Sequence, residues 1–130
     1  MSWYDETEPK EIIGKTLQAW RETDAGGTIY LEFTDGTEAK FFHRQDCCEC
    51  VSLHGDSYKE LDNFIGREIT GFLQDENDGT PEYRYGSATL TEITFTFGNE
   101  SVLACWWGES NGYYSESVDF WCSWSNDSDY

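Results

Sequence analysis

The sequence predicts a mainly β fold (α+β at most), with antiparallel sheets from two similar hairpin-rich halves joined by one short helix. Three observations carry this. Apolar residues alternate with polar ones at a period of two, as half-buried strands require. Turn residues separate the alternating segments. The pattern Ile, Gly, cation, polar, aliphatic occurs twice, at Ile13-Gly14-Lys15-Thr16-Leu17 and at Ile65-Gly66-Arg67-Glu68-Ile69.

The elements follow in order. After the first Ile-Gly motif comes a short strand, then Ile29, Leu31 and Phe33 alternate with Tyr30 and Glu32. Asp35-Gly36 supplies a hairpin turn, and a strand returns through Ala39, Phe41 and His43, or on the opposite face through Phe42. Residues 56–65 carry a cap candidate at Asp56 or Ser57 and apolar residues near helical spacing, and Gly66 stops them; this is the short helix. Gln74 to Tyr85, with Asp75, Glu76, Asp78, Gly79 and Pro81, reads as an exposed loop. Ile93, Phe95 and Phe97 alternate again, Gly98-Asn99-Glu100 turns, and Val102 to Trp107 runs back. Asn111-Gly112 is the strongest short hairpin signal, expected to join that strand to Tyr113–Trp121.

The two Ile-Gly motifs lie 52 residues apart, whereas Ile29, Leu31 and Phe33 match Ile93, Phe95 and Phe97 at an offset of 64. The second half therefore carries about 12 extra residues, attributable to the loop around Gly79 and Pro81. One domain over 1–130 is expected, with a pseudo-repeat of 12–54 and 64–121 and an acidic tail at 122–130. After each return strand stands a polar element, His43–Glu49 in one half and Gly108–Glu116 in the other. The repeat would bring these to one cleft or to two ends of a sheet.

The chain has 26 Asp and Glu against 8 Lys and Arg in 130 residues, a formal net charge of −18. Aromatics at 17% set it apart from disordered acidic chains, which lack them. The charge excludes unaided binding to nucleic-acid phosphates and attraction to an anionic membrane. It suits a basic partner surface, a cation, or plain solubility. After Arg84 there are seven carboxylates and no Lys or Arg, so that part projects an unscreened negative field. No apolar run is long enough for a transmembrane helix, the acidic N-terminus has no signal-peptide core, and five Cys suggest reduced thiols; a cytoplasmic protein is expected.

Cys47 and Cys50 form a C-x-x-C pair with His43 and His54 nearby, but the second pair of a zinc site is missing. A His43-activated Cys47 would be opposed by Asp46 and Glu49, whose charge disfavours the thiolate. No phosphate loop, nucleophile elbow or dinucleotide fingerprint is present. No catalytic residue, metal or cofactor is therefore assigned. Trp106, Trp107, Tyr113, Tyr114, Phe120, Trp121 and Trp124 exceed what one strand face can bury, so some aromatic surface is expected to be exposed or to meet a partner.

His43-Arg44-Gln45-Asp46-Cys47-Cys48-Glu49 and Gly108-Glu109-Ser110-Asn111-Gly112-Tyr113-Tyr114-Ser115-Glu116, with the two Ile-Gly-cation motifs, resemble a family of small uncharacterised bacteriophage and bacterial proteins. The resemblance spans about residues 12–120 and departs at Cys50, where a Ser or similar residue is expected. It implies a phage setting, in which small acidic accessory proteins bind and block host machinery, but no activity. The expected function is thus non-catalytic binding to a basic, nucleic-acid-binding surface of a host protein. The candidate binding residues are His43, Gln45, Asp46, Glu49, Trp107, Glu109, Asn111, Tyr113, Tyr114 and Glu116. The alternative is a nucleotide-like ligand in a cleft between the halves. No direct nucleic-acid or membrane partner is expected, and the sequence sets no oligomeric state.

Overall fold

A computed structural model describes residues 9–23, 26–44, 49–79, 86–111 and 115–123. Among the described residues eight strands run in chain order: β1 (Leu17–Thr23), β2 (Thr28–Phe33), β3 (Glu38–Phe42), β4 (Cys50–Leu53), β5 (Gly71–Gly79), β6 (Ser87–Phe97), β7 (Glu100–Ser110) and β8 (Asp119–Cys122). They form two antiparallel four-stranded sheets, ordered β1-β2-β3-β8 and β4-β7-β6-β5. Each half of the chain is a three-stranded meander whose fourth strand leaves it. β4 of the first half pairs with β7, and β8 of the second half pairs with β3.

The repeated motifs lie on the axis of this exchange. Thr16 and Glu68, equivalent positions 52 apart, bridge antiparallel to each other. The Leu17 N–H donates to the Arg67 carbonyl and the Ile69 N–H to the Lys15 carbonyl; the Gly14 N–H donates to Ile69 and the Gly66 N–H to Leu17. Shifting every residue by 52 turns each bond into its counterpart, so the two halves meet through a local pseudo-twofold. Gly14 and Gly66 hold φ of 97° and 89°, a left-handed conformation that side chains resist, which is why Gly recurs in the motif.

One hydrophobic cluster lies between the sheets. Ile29, Leu31, Phe33, Ala39 and Phe41 face Ile93, Phe95, Phe97, Val102, Ala104 and Trp106, all buried. Phe41 meets Phe95 edge-on at 5.4 Å and stacks on Phe72 at 5.7 Å, which couples the layers. The connecting helix, Ser57–Phe64, is of the 3-10 type and buries Tyr58, Leu61 and Phe64. That spacing of three matches three residues per turn and gives one apolar edge. Phe64 stacks on Phe97 at 4.6 Å, and the Trp20 indole donates to Asp62 at 2.7 Å, pinning the helix to β1. A second 3-10 helix, Pro9–Ile12, precedes the first motif.

Two local expectations are corrected. Asn111-Gly112 does not join a β7–β8 hairpin: β8 pairs with β3 in the other sheet. The flank of β7 that β8 would need is held by β4, so the chain crosses over instead. Gln74–Gly79 is not loop but the second half of β5, with Gln74 to Gly79 paired in register to Ile93 to Ala88. Backbone pairing to the long β6 overrides the poor strand propensity of Asp and Asn there.

Candidate functional site

The crossed connections bring the two polar elements together. His43 follows β3, Glu49 precedes β4, and Glu116 and Ser117 lie on the connection from β7 to β8. The His43 Nδ1 lies 2.7 Å from the Ser117 carbonyl oxygen, and its Nε2 lies 2.7 Å from a Glu49 carboxyl oxygen. The side chains are only 4% and 0% exposed. A carbonyl can only accept, so Nδ1 carries the hydrogen of that contact, and Nε2 is turned to the Glu49 carboxyl group. Both ring nitrogens are thereby occupied and shielded. An imidazole held in this way fixes a chain crossing, and neither nitrogen is left to take a proton from a substrate.

Glu116 makes the second anchor. The core-facing side of β6 reads Phe97, Phe95, Ile93, then Thr91, Thr89 and Ser87, turning from apolar groups to hydroxyls. On β7 the same face ends in Gly108 and Ser110, opposite Thr89 and Ser87. Glu116 lies over Gly108, where an added Cβ would come within 3.0 Å of the Glu116 Cβ and of a Val51 methyl. Its carboxylate accepts hydrogen bonds from Ser110 at 2.5 Å, from Thr89 at 2.8 Å and from Ser87. Burial pushes the Glu116 carboxyl up, but the hydroxyls of Ser110, Ser87 and Thr89 outweigh it and hold it below its ordinary 4.5.

Trp107 and Glu109 lie on the opposite, outward face of the same sheet. The indole N–H donates to a Glu109 carboxyl oxygen at 2.7 Å, and the ring covers Gly79, where a Cβ would sit 2.3 Å from it. His54 approaches the indole at 6.3 Å between ring centres. Asn111 is exposed at the end of β7. Gln45, Asp46, Tyr113 and Tyr114 lie outside the described residues, as do Cys47 and Cys48. The ten candidate residues thus divide among an inward clamp (His43, Glu49, Glu116), an outward pair (Trp107, Glu109), one exposed turn residue and four positions not described. Of the surplus aromatics, Trp106 is buried, Phe120 packs on the core and Trp121 is 42% exposed.

Cys50, Cys105 and Cys122 are free thiols. Burial, and then the Glu92 charge, push the Cys105 thiol up, and burial above all raises Cys122, so both are poor nucleophiles. Among the described residues no group of three His, Cys, Asp or Glu side chains is placed to hold a metal, and no helix is long and apolar enough to cross a membrane. Sequence reasoning missed Ser87, Thr89 and Ser110. Their signal was hydroxyls continuing the apolar faces of β6 (Thr89, Ser87) and β7 (Ser110).

These features define a two-sheet β protein with exchanged fourth strands and a buried polar clamp where the halves cross. The chain belongs to the DUF7448 family, a domain of unknown function whose model matches residues 10–120. No curated protein and no solved structure matches the chain.

Proposed function

We propose that the protein is a non-catalytic binding protein that occupies a basic, nucleic-acid-binding surface of another protein, using carboxylates in place of phosphates. The observation that carries this reading is the charge of the second sheet. Its four strands hold Asp75, Glu76, Asp78, Glu92, Glu100 and Glu109 and contain no Lys or Arg. Asp75, Glu76 and Asp78 are exposed on the edge strand β5, and among the described residues no cation forms an ion pair with them. Such a sheet presents a field of one sign, which attracts a basic surface and repels nucleic acid. The inward commitment of His43, Glu49 and Glu116 supports binding over catalysis: His43 faces Glu49 and the Ser117 carbonyl, and Glu116 is held by the hydroxyls of Ser87, Thr89 and Ser110.

The resemblance to phage proteins supplies a setting, a phage-type accessory protein acting on host machinery. The test is capture from a bacterial lysate at low and at high salt, with the recovered protein identified and its affinity measured. A basic nucleic-acid-binding partner whose affinity falls steeply with ionic strength is expected. Recovery of nothing at low salt, or of a partner indifferent to salt, overturns the reading.

A further inference from the structure

The outward face of the second sheet has a specific arrangement. Across the strands, Leu73, Thr94 and Leu103 form one row, Asp75, Glu92 and Cys105 the next, and Asn77, Leu90, Trp107 and Ser52 the third. The alternate residues Ile93, Ala104 and Trp106 fill the core, so these rows point away from it. Asp75 and Glu92 are therefore directly opposed like charges on neighbouring strands, an arrangement that sheets disfavour. On either side stand apolar groups, with Leu73 57% exposed and Leu90, Leu103 and Trp107 half-buried. The Trp107 ring is fixed from beneath by Gly79 and at its edge by Glu109. Cys105 stands directly beside Glu92 in the same row, and burial, then the Glu92 charge, push its thiol up.

We propose that this face docks an arginine side chain of a basic partner segment, with the guanidinium between Asp75 and Glu92 and its stem and plane against Leu90 and Trp107. The proposal rests on the reading of the protein as a binder of basic surfaces and names the place and the chemistry of contact. Two carboxylates side by side match the planar fork of a guanidinium, which can donate to both at once. A pinned indole next to them offers a ring face for the same group, which arginine uses more readily than lysine does. Binding would relieve the repulsion that the free face carries.

The test is a nuclear magnetic resonance titration of the full chain with an oligoarginine peptide, and with an oligolysine peptide of equal length, at low salt. Shifts are expected to gather on the amides of Leu73, Asp75, Leu90, Glu92 and Trp107 and on the Trp107 indole, with oligoarginine bound more tightly. The Asp75→Asn/Glu92→Gln variant, which relieves repulsion and so keeps its fold, should lose roughly tenfold or more in affinity. Glu60→Gln/Glu68→Gln removes the same charge from exposed positions elsewhere and should change affinity far less. Equal losses in the two variants, or shifts confined to other surfaces, overturn this site while leaving the wider basic-partner reading intact. No binding of oligoarginine by the unaltered protein overturns both.

Discussion

Removing the Glu116 carboxylate tests the clamp where the two halves cross. In Glu116→Ala, the hydroxyls of Ser110, Thr89 and Ser87 lose their common acceptor. A hydrogen bond to a charged group contributes about 1.5–3 kcal/mol. Ser87 is exposed, so water replaces much of its bond, whereas Ser110 is buried and Thr89 half-buried. The lower end of the range for those two gives a loss of about 3 kcal/mol, reduced toward about 2 kcal/mol if water follows into the gap. Glu116→Gln keeps the volume and one acceptor and should lose about half as much. Urea unfolding is the assay, and the midpoint should fall with an unchanged slope. The folded-state carboxyl lies below its ordinary 4.5, so the folded protein binds this proton more weakly than the unfolded chain does. The stabilisation is therefore complete above that ordinary value and is lost as pH falls through the folded-state value. Both variants should flatten this part of the acid limb. A Glu116→Ala protein within about 0.5 kcal/mol of the unaltered one would refute the clamp.

Two further substitutions probe the same region. Thr91 is fully buried and its hydroxyl has no hydrogen-bond partner among the described residues, so Thr91→Val should stabilise the fold by about 1 kcal/mol and raise the midpoint of a thermal melt. His43→Ala takes from the buried Glu49 carboxyl the imidazole that faces it, and should cost about 3 kcal/mol in denaturant titrations.

The strands and their faces were legible because period two is written directly into the residues. Ile29, Leu31 and Phe33, and Ile93, Phe95 and Phe97, occupy the core as their alternation requires. The likeness of the two Ile-Gly motifs was legible as well. That these motifs pair with each other was not, since periodicity identifies a buried face without naming the partner strand. The same gap hid the exchange of β4 and β8, and a strong turn signal at Asn111-Gly112 pointed to a neighbour already taken by β4. Asp75 was assigned to a loop because acidic residues are poor strand formers, which concealed its position opposite Glu92. His43, Glu49 and Glu116 stood out as unusual residues, but charged side chains are mostly exposed, and their burial depends on partners brought in by the crossed connections.

The central claim is that the carboxylates of this chain take the place of phosphates on a basic partner. The most direct measurement is competition: a partner captured at low salt is saturated with its nucleic acid and titrated with this protein, while release of a labelled strand is followed. Displacement that rises with protein concentration, and is weakened by Asp75→Asn/Glu92→Gln, is predicted. A stable ternary complex, with the nucleic acid still held at saturating protein, would contradict the account.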